Sequence, residues 1–122
     1  MHGLDPAIAQ HLLAIACDPT ESVAFAFLDR SGALLGAHHA SSTSLTAIEV
    51  PLRMIVARAL ALDARQVVMA HNHPSGDPEP SREDLTATRR IAAVLGGLGI
   101  RLVDHVVLTA DGAVSLRARG LL

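Results

Sequence analysis

The run from Arg65 to Asp84 leaves little freedom in local structure. Arg65-Gln66-Val67-Val68-Met69-Ala70 is short, apolar and β-branched, the pattern of a buried strand. His71-Asn72-His73 continues it. Pro74 to Pro80 then carries three prolines and a glycine, which excludes regular structure and dictates a tight, stiff loop. Ser81-Arg82-Glu83-Asp84 reads as a helix start, since Ser-x-x-Asp is close to a capping box. A strand end, a stiff loop and a helix N-terminus must therefore meet.

The side chains at that meeting point suit a divalent metal. Residues i and i+2 of an extended segment point to the same side, so His71 and His73 can face one ion. Asp84, in the first helical turn, is the third donor. Structural zinc sites are usually closed by four side chains, whereas three protein ligands leave a coordination position open to water. Water on such an ion has its pKa lowered to about 7, and a substrate carbonyl is polarised. The plainer reading of Ser81 and Asp84 is helix capping and dipole compensation, which is compatible with ligation. The contiguous letters H-N-H do not make an HNH nuclease, whose named residues are dispersed over a longer ββα unit.

The string from His71 to Asp84, HNHPSGDPEPSRED, resembles the metal motif of the JAB/MPN (JAMM) zinc hydrolases, and in particular their RadC-like branch. Glu21 to Asp29, ESVAFAFLD, resembles the first strand of that family. Arg53 to Leu60 resembles the helix before the motif, and Asp104-His105-Val106-Val107 the Asp-His pair on a late strand. The resemblance implies a JAB/MPN (cytidine deaminase-like) fold, a mixed α/β (α+β) arrangement with a mixed β-sheet packed by helices. It implies one Zn2+ per chain on His71, His73 and Asp84. Glu21 matches the glutamate that takes a proton from the metal-bound water, with Glu49 the alternative. Ser81 matches the hydroxyl that helps to stabilise the oxyanion. Asp104 and His105 are candidates for holding a ligand histidine from behind, and strand alternation lets only one of them face inward. The implied reaction is hydrolysis of a peptide or isopeptide bond, with a peptide or protein as substrate. Two rival readings are a non-catalytic MPN interaction module and a metal-dependent factor associated with DNA repair. Leu52-Arg53-Met54 stands where the family has Pro-Arg-Glu. The helix-hairpin-helix-like region of RadC-like proteins is absent from residues 1–122, read as one domain.

Composition narrows the partners. Ten basic residues, all Arg, face twelve acidic ones, so there is no basic nucleic-acid footprint. Phe25 and Phe27 are the only aromatic residues, too few for a base-stacking platform. Arg82, Arg89, Arg90 and Arg101 read as a solvated helix face rather than a phosphate patch. Cys17 is alone, so no internal disulfide can form. With no signal peptide and no apolar run long enough for a bilayer, a cytoplasmic location without membrane contact is expected. A homodimer is compatible with the sequence but not specified by it.

The remaining pattern predicts a helix from Asp5-Pro6 to near Cys17, a strand at 23–28 and a hairpin into a second strand at 33–41. A helix over about 50–62 precedes the motif strand at 66–71. A helix over 81–95 follows, then a strand at 100–108 and a hairpin at 110–112 into 113–116. Gly96, Gly97 and Gly99 end the long helix and form no dinucleotide fingerprint.

Overall fold

The computed structural model describes residues 5–41 and 51–122. Glu49, His2 and the expected helix start near Val50 lie outside the described residues. In chain order the elements are α1 (Pro6–Leu13), β1 (Ser22–Leu28), β2 (Leu34–Ser41), α2 (Leu52–Ala61), β3 (Gln66–Asn72), α3 (Arg82–Gly97), β4 (Arg101–Thr109) and β5 (Gly112–Ser115). The five strands form one sheet in the order β2-β1-β3-β4-β5. β3 and β4 run parallel, with α3 as the crossover between them, and the other neighbours are antiparallel. This is the mixed sheet packed by helices that the interleaved pattern predicts.

The two faces of the sheet follow from strand alternation. Val23, Phe25 and Phe27 of β1 and Val67 and Met69 of β3 face Ile55 and Ala59 of α2 and Ala87, Ile91 and Leu95 of α3. Ala24, Ala26, Val68, Ala70, Val106 and Leu108 face Ile8, Leu12 and Ile15 at the other side. Every residue of β1 is buried, as a central strand covered on both faces requires.

Sequence-based boundaries hold within a residue or two, except at α1. That helix is capped by Asp5, whose carboxylate accepts the Ala7 N–H at 2.8 Å, and has Pro6 in its first turn. It stops at Leu13 rather than near Cys17. Bonds from Ala16 N–H to the Leu13 carbonyl and from Asp18 N–H to the Ile15 carbonyl tighten the chain into turns there.

α3 ends in a Schellman motif. Ile100 N–H reaches the Leu95 carbonyl and Gly99 N–H the Gly96 carbonyl, with Gly99 at φ +75°. Ile100 and Leu95 are both buried in the core under this cap. α2 ends in the same way, from Ala64 to Ala59 and from Asp63 to Leu60, with Asp63 in the left-handed position at φ +53°.

One irregularity bears on the site. Val67 pairs with Leu102, but Val68 pairs with Asp104, so Val103 has no partner in β3. This one-residue bulge reverses the alternation of β4 beyond it. His105 therefore pairs with Met69 and shares its face, toward α3. Arg117 covers the irregular backbone, its guanidinium donating to the carbonyls of Leu102 and Val103.

Candidate metal centre

His71 is the last residue but one of β3, His73 lies just past the strand's end, and Asp84 sits in the first turn of α3. The donor atoms of the three all lie within 4.8 Å of one another. Nε2 of His71 is 2.8 Å from Nε2 of His73. Nε2 of His73 is 3.2 Å from Oδ2 of Asp84, and Nε2 of His71 is 3.4 Å from Oδ1. The His71 and Asp84 side chains are 1% and 6% exposed, against 12% for His73, so the cluster is approached from the His73 side.

The proline-rich loop aims His73. Gly76 N–H donates to the His73 carbonyl at 3.0 Å, closing a turn in which Gly76 adopts φ +88°. His73 N–H is fixed by the Leu108 carbonyl at 2.8 Å. The loop then brings the Asp77 carbonyl to 2.8 Å from His73 Nδ1. A carbonyl only accepts, so the Nδ1 proton points at Asp77 and the neutral ring presents a bare Nε2 to the cluster. At the far end of the loop Arg119 makes a bidentate pair with Glu79, at 2.9 and 3.3 Å.

Asp84 serves two purposes at once. Its Oδ2 accepts Ser81 N–H at 2.7 Å while its own N–H donates to Ser81 Oγ at 3.0 Å, a complete capping box. Burial by itself raises the Asp84 carboxyl. The His71 ring beside it, through hydrogen bonding and charge, and the Ser81 amide and hydroxyl outweigh that effect. Together they hold the carboxyl well below the usual carboxylate range. A divalent cation held among these groups would pull in the same direction more strongly.

The donor set therefore fits a metal. A bare imidazole nitrogen, an ionised carboxylate and a second imidazole nitrogen converge, and a cation is what reconciles them. Two ligands of a tetrahedral zinc, each about 2.0–2.1 Å away, lie roughly 3.3 Å apart. The 3.2 and 3.4 Å separations match this closely, and the 2.8 Å pair needs only a small opening.

Other sequence candidates fall as follows. Ser81 caps α3, and because its Oγ is an acceptor there, its own O–H proton remains available to donate. Glu21 is exposed and immediately precedes β1. Val23 pairs with His71, so continuing the antiparallel count puts Glu21 opposite His73, at a position of ligand-face parity. Of the Asp104-His105 pair, the bulge decides which turns inward. His105 is buried, with Nε2 2.6 Å from His71 Nδ1. Burial and the neighbouring His71 push its pKa down to about 3, so it stands neutral behind the ligand. The Asp104 carboxylate does not reach His71. It accepts from its neighbour's N–H at 2.8 Å, the Ser115 hydroxyl at 2.5 Å and Arg117 N–H at 3.1 Å, holding β5 and the following turn.

Two further residues went unnoticed in the sequence. Thr88 is fully buried, its hydroxyl 2.5 Å from His105 Nδ1. It follows Asp84 by one helical turn, and that i, i+4 spacing is the signal that could have found it. Asn72 donates to the carbonyls of Asp18 and Thr20 and accepts Ser22 N–H at 2.6 Å. All three bonds go to the segment that carries Glu21, and nothing local in the sequence announces them.

A family model described as a RadC-like JAB domain matches residues 5–121. A UPF0758 protein of Rhodobacter capsulatus is 40% identical over 89% of this chain and 51% of its own length. One of Methylibium petroleiphilum is 41% identical over 90% of the chain and 50% of the relative. One of Syntrophotalea carbinolica is 44% identical over 78% of the chain and 42% of the relative. The chain thus spans about half the length of the curated relatives it matches.

Proposed function

The chain belongs to the family of RadC-like JAB domains, and from that premise we propose that it is a zinc-dependent hydrolase acting on a peptide or isopeptide bond. The observation that carries this reading is the convergence of His71 Nε2, His73 Nε2 and an ionised Asp84, with an approach from the His73 side. Zinc held by these three residues would polarise a substrate carbonyl and lower the pKa of water to about 7. The chain's own groups supply the rest. His71 and Asp84, both buried, fix two donors rigidly, and the Asp77 carbonyl fixes the third by holding the His73 ring. Glu21, on the solvent side of the strand end, takes the proton released by the attacking water and delivers it to the leaving amine. The free O–H of Ser81 donates to the carbonyl oxygen as it gains charge. A lone backbone or side-chain donor of this kind contributes typically about 10²–10³ in turnover.

The deciding experiment is zinc content by elemental mass spectrometry on protein purified without chelators or affinity metal, followed by peptide and isopeptide substrate screening. About one zinc per chain is expected, lost in His73→Ala. Glu21→Gln is expected to keep the zinc and lose hydrolysis. Failure to take up zinc at neutral pH would remove the hydrolase reading in favour of a non-catalytic interaction module. Normal cleavage by Glu21→Gln would remove Glu21 from its role.

A further inference from the structure

Behind the cluster runs a buried chain of polar contacts that ends on a single ligand. Thr88 Oγ1 lies 2.6 Å from the backbone carbonyl of Asp84 and 2.5 Å from His105 Nδ1. His105 Nε2 lies 2.6 Å from His71 Nδ1. Thr88 and His105 are 0% and 1% exposed, so water does not supply alternative partners.

Proton counting gives this chain a direction. A hydroxyl has one proton, and a carbonyl can only accept. The Thr88 proton therefore goes to the Asp84 carbonyl. The Thr88 oxygen is left as an acceptor, so His105 Nδ1 must carry the proton of that contact. His105 is enclosed, and among the described residues its two ring nitrogens meet only Thr88 and His71 and no carboxylate, so it carries one ring proton, and its Nε2 is bare. His71 Nδ1 must then be the donor to it. The proton of a neutral His71 is held on the side away from the cluster, and the Nε2 lone pair faces the metal position.

We propose that Thr88, acting through His105, is a positioning residue that fixes His71 in the tautomer able to bind metal. The proposal rests on the metal reading of the cluster. It assigns no catalytic contact to Thr88, which touches neither the metal position nor substrate. The relay joins two of the ligands: the carbonyl that orients the Thr88 hydroxyl belongs to Asp84, and the far end of the chain is the His71 ring. With the hydroxyl removed, nothing holds the His105 proton on Nδ1. It can move to Nε2 and donate to His71 Nδ1, which would turn the His71 proton toward the metal position and block it.

The test uses long-range proton–nitrogen correlation spectra of isotope-labelled protein, with and without zinc, and zinc affinity by competition with a chromophoric chelator. In the wild type, His71 Nδ1 and His105 Nδ1 are expected to be protonated both without and with zinc. In Thr88→Val, His71 Nδ1 should lose full protonation, and zinc binding should weaken by about 10- to 100-fold, as for other residues that orient a metal ligand. Thr88→Ser, which keeps the hydroxyl, should restore both. A wild-type His71 with a bare Nδ1 overturns the proposal, even if Thr88→Val fails to fold. So does a Thr88→Val protein whose His71 Nδ1 stays fully protonated or whose zinc affinity is unchanged. Absence of hydrolysis would count against the proposed reaction alone, because the ring-proton assignments are read from metal-free protein.

Discussion

Asn72 lies between the two histidine ligands in sequence, and its side chain belongs to a different task. It is fully buried, and all three of its hydrogen bonds reach the segment from Asp18 to Ser22. Asn72→Ala would leave one N–H and two carbonyls in need of partners. It is expected to destabilise the fold by about 2–3 kcal/mol, within the range for unsatisfied buried polar groups. A shift in the urea midpoint corresponding to less than about 1 kcal/mol would show that water replaces the amide. At this scale, legibility tracked sequence distance. His71, His73, Ser81 and Asp84 stand close together in the chain, so their spacing could be read directly. Thr88 and Asn72 act on residues that only folding brings near, and a threonine within a helix or an asparagine after a strand has many ordinary explanations.

At the scale of elements, the two helices over the ligand face are stopped by the same device with different residues. Gly99 occupies the left-handed position after α3, and a Cβ added there would meet nothing within 4 Å. Gly99→Ala therefore tests backbone strain alone. The expected loss is about 1–2 kcal/mol, the energy of placing an L-residue in the left-handed region. Urea unfolding should show a lower midpoint with an unchanged slope. No change in midpoint would mean that the cap relaxes into another conformation. Asp63 holds the equivalent position after α2, where the Schellman bonds form without a glycine. Helices and strands were legible because apolar periodicity reports burial, and α3 and β3 follow it to within two residues. Periodicity presumes an unbroken strand, however. The extra residue at Val103 breaks that presumption, and so alternation alone does not choose between Asp104 and His105.

Across the molecule, two buried groups tie stability to acidity in the same direction. The unfolded chain protonates His105 from about pH 6.5 downward, while the folded chain resists until about pH 3. The unfolded state binds more protons in that window, so stability falls as pH falls, by at most about 1.4 kcal/mol per pH unit for this group. The Asp84 carboxyl is held below its unfolded value of 3.8; its contribution is present above that pH and is lost on further acidification. Metal-free protein should show a urea midpoint that declines steadily from pH 6.5 to pH 4.5. A flat midpoint over that interval would mean that His105 takes up its proton without unfolding. The arrangement also depends on a choice of pairing that composition does not reveal. Had β4 paired regularly beyond Leu102, with Val103 opposite Val68, its hydrophobic content would be the same. Every later side chain would nevertheless exchange faces, sending the imidazole toward α1 and the Asp104 carboxylate toward the face of His71. In this part of the sheet, a slip of one residue determines which chemistry reaches the ligands. A related sequence can change almost any letter at Val103, or drop that residue and let Asp104 follow Leu102 opposite Val68, and the imidazole still faces α3.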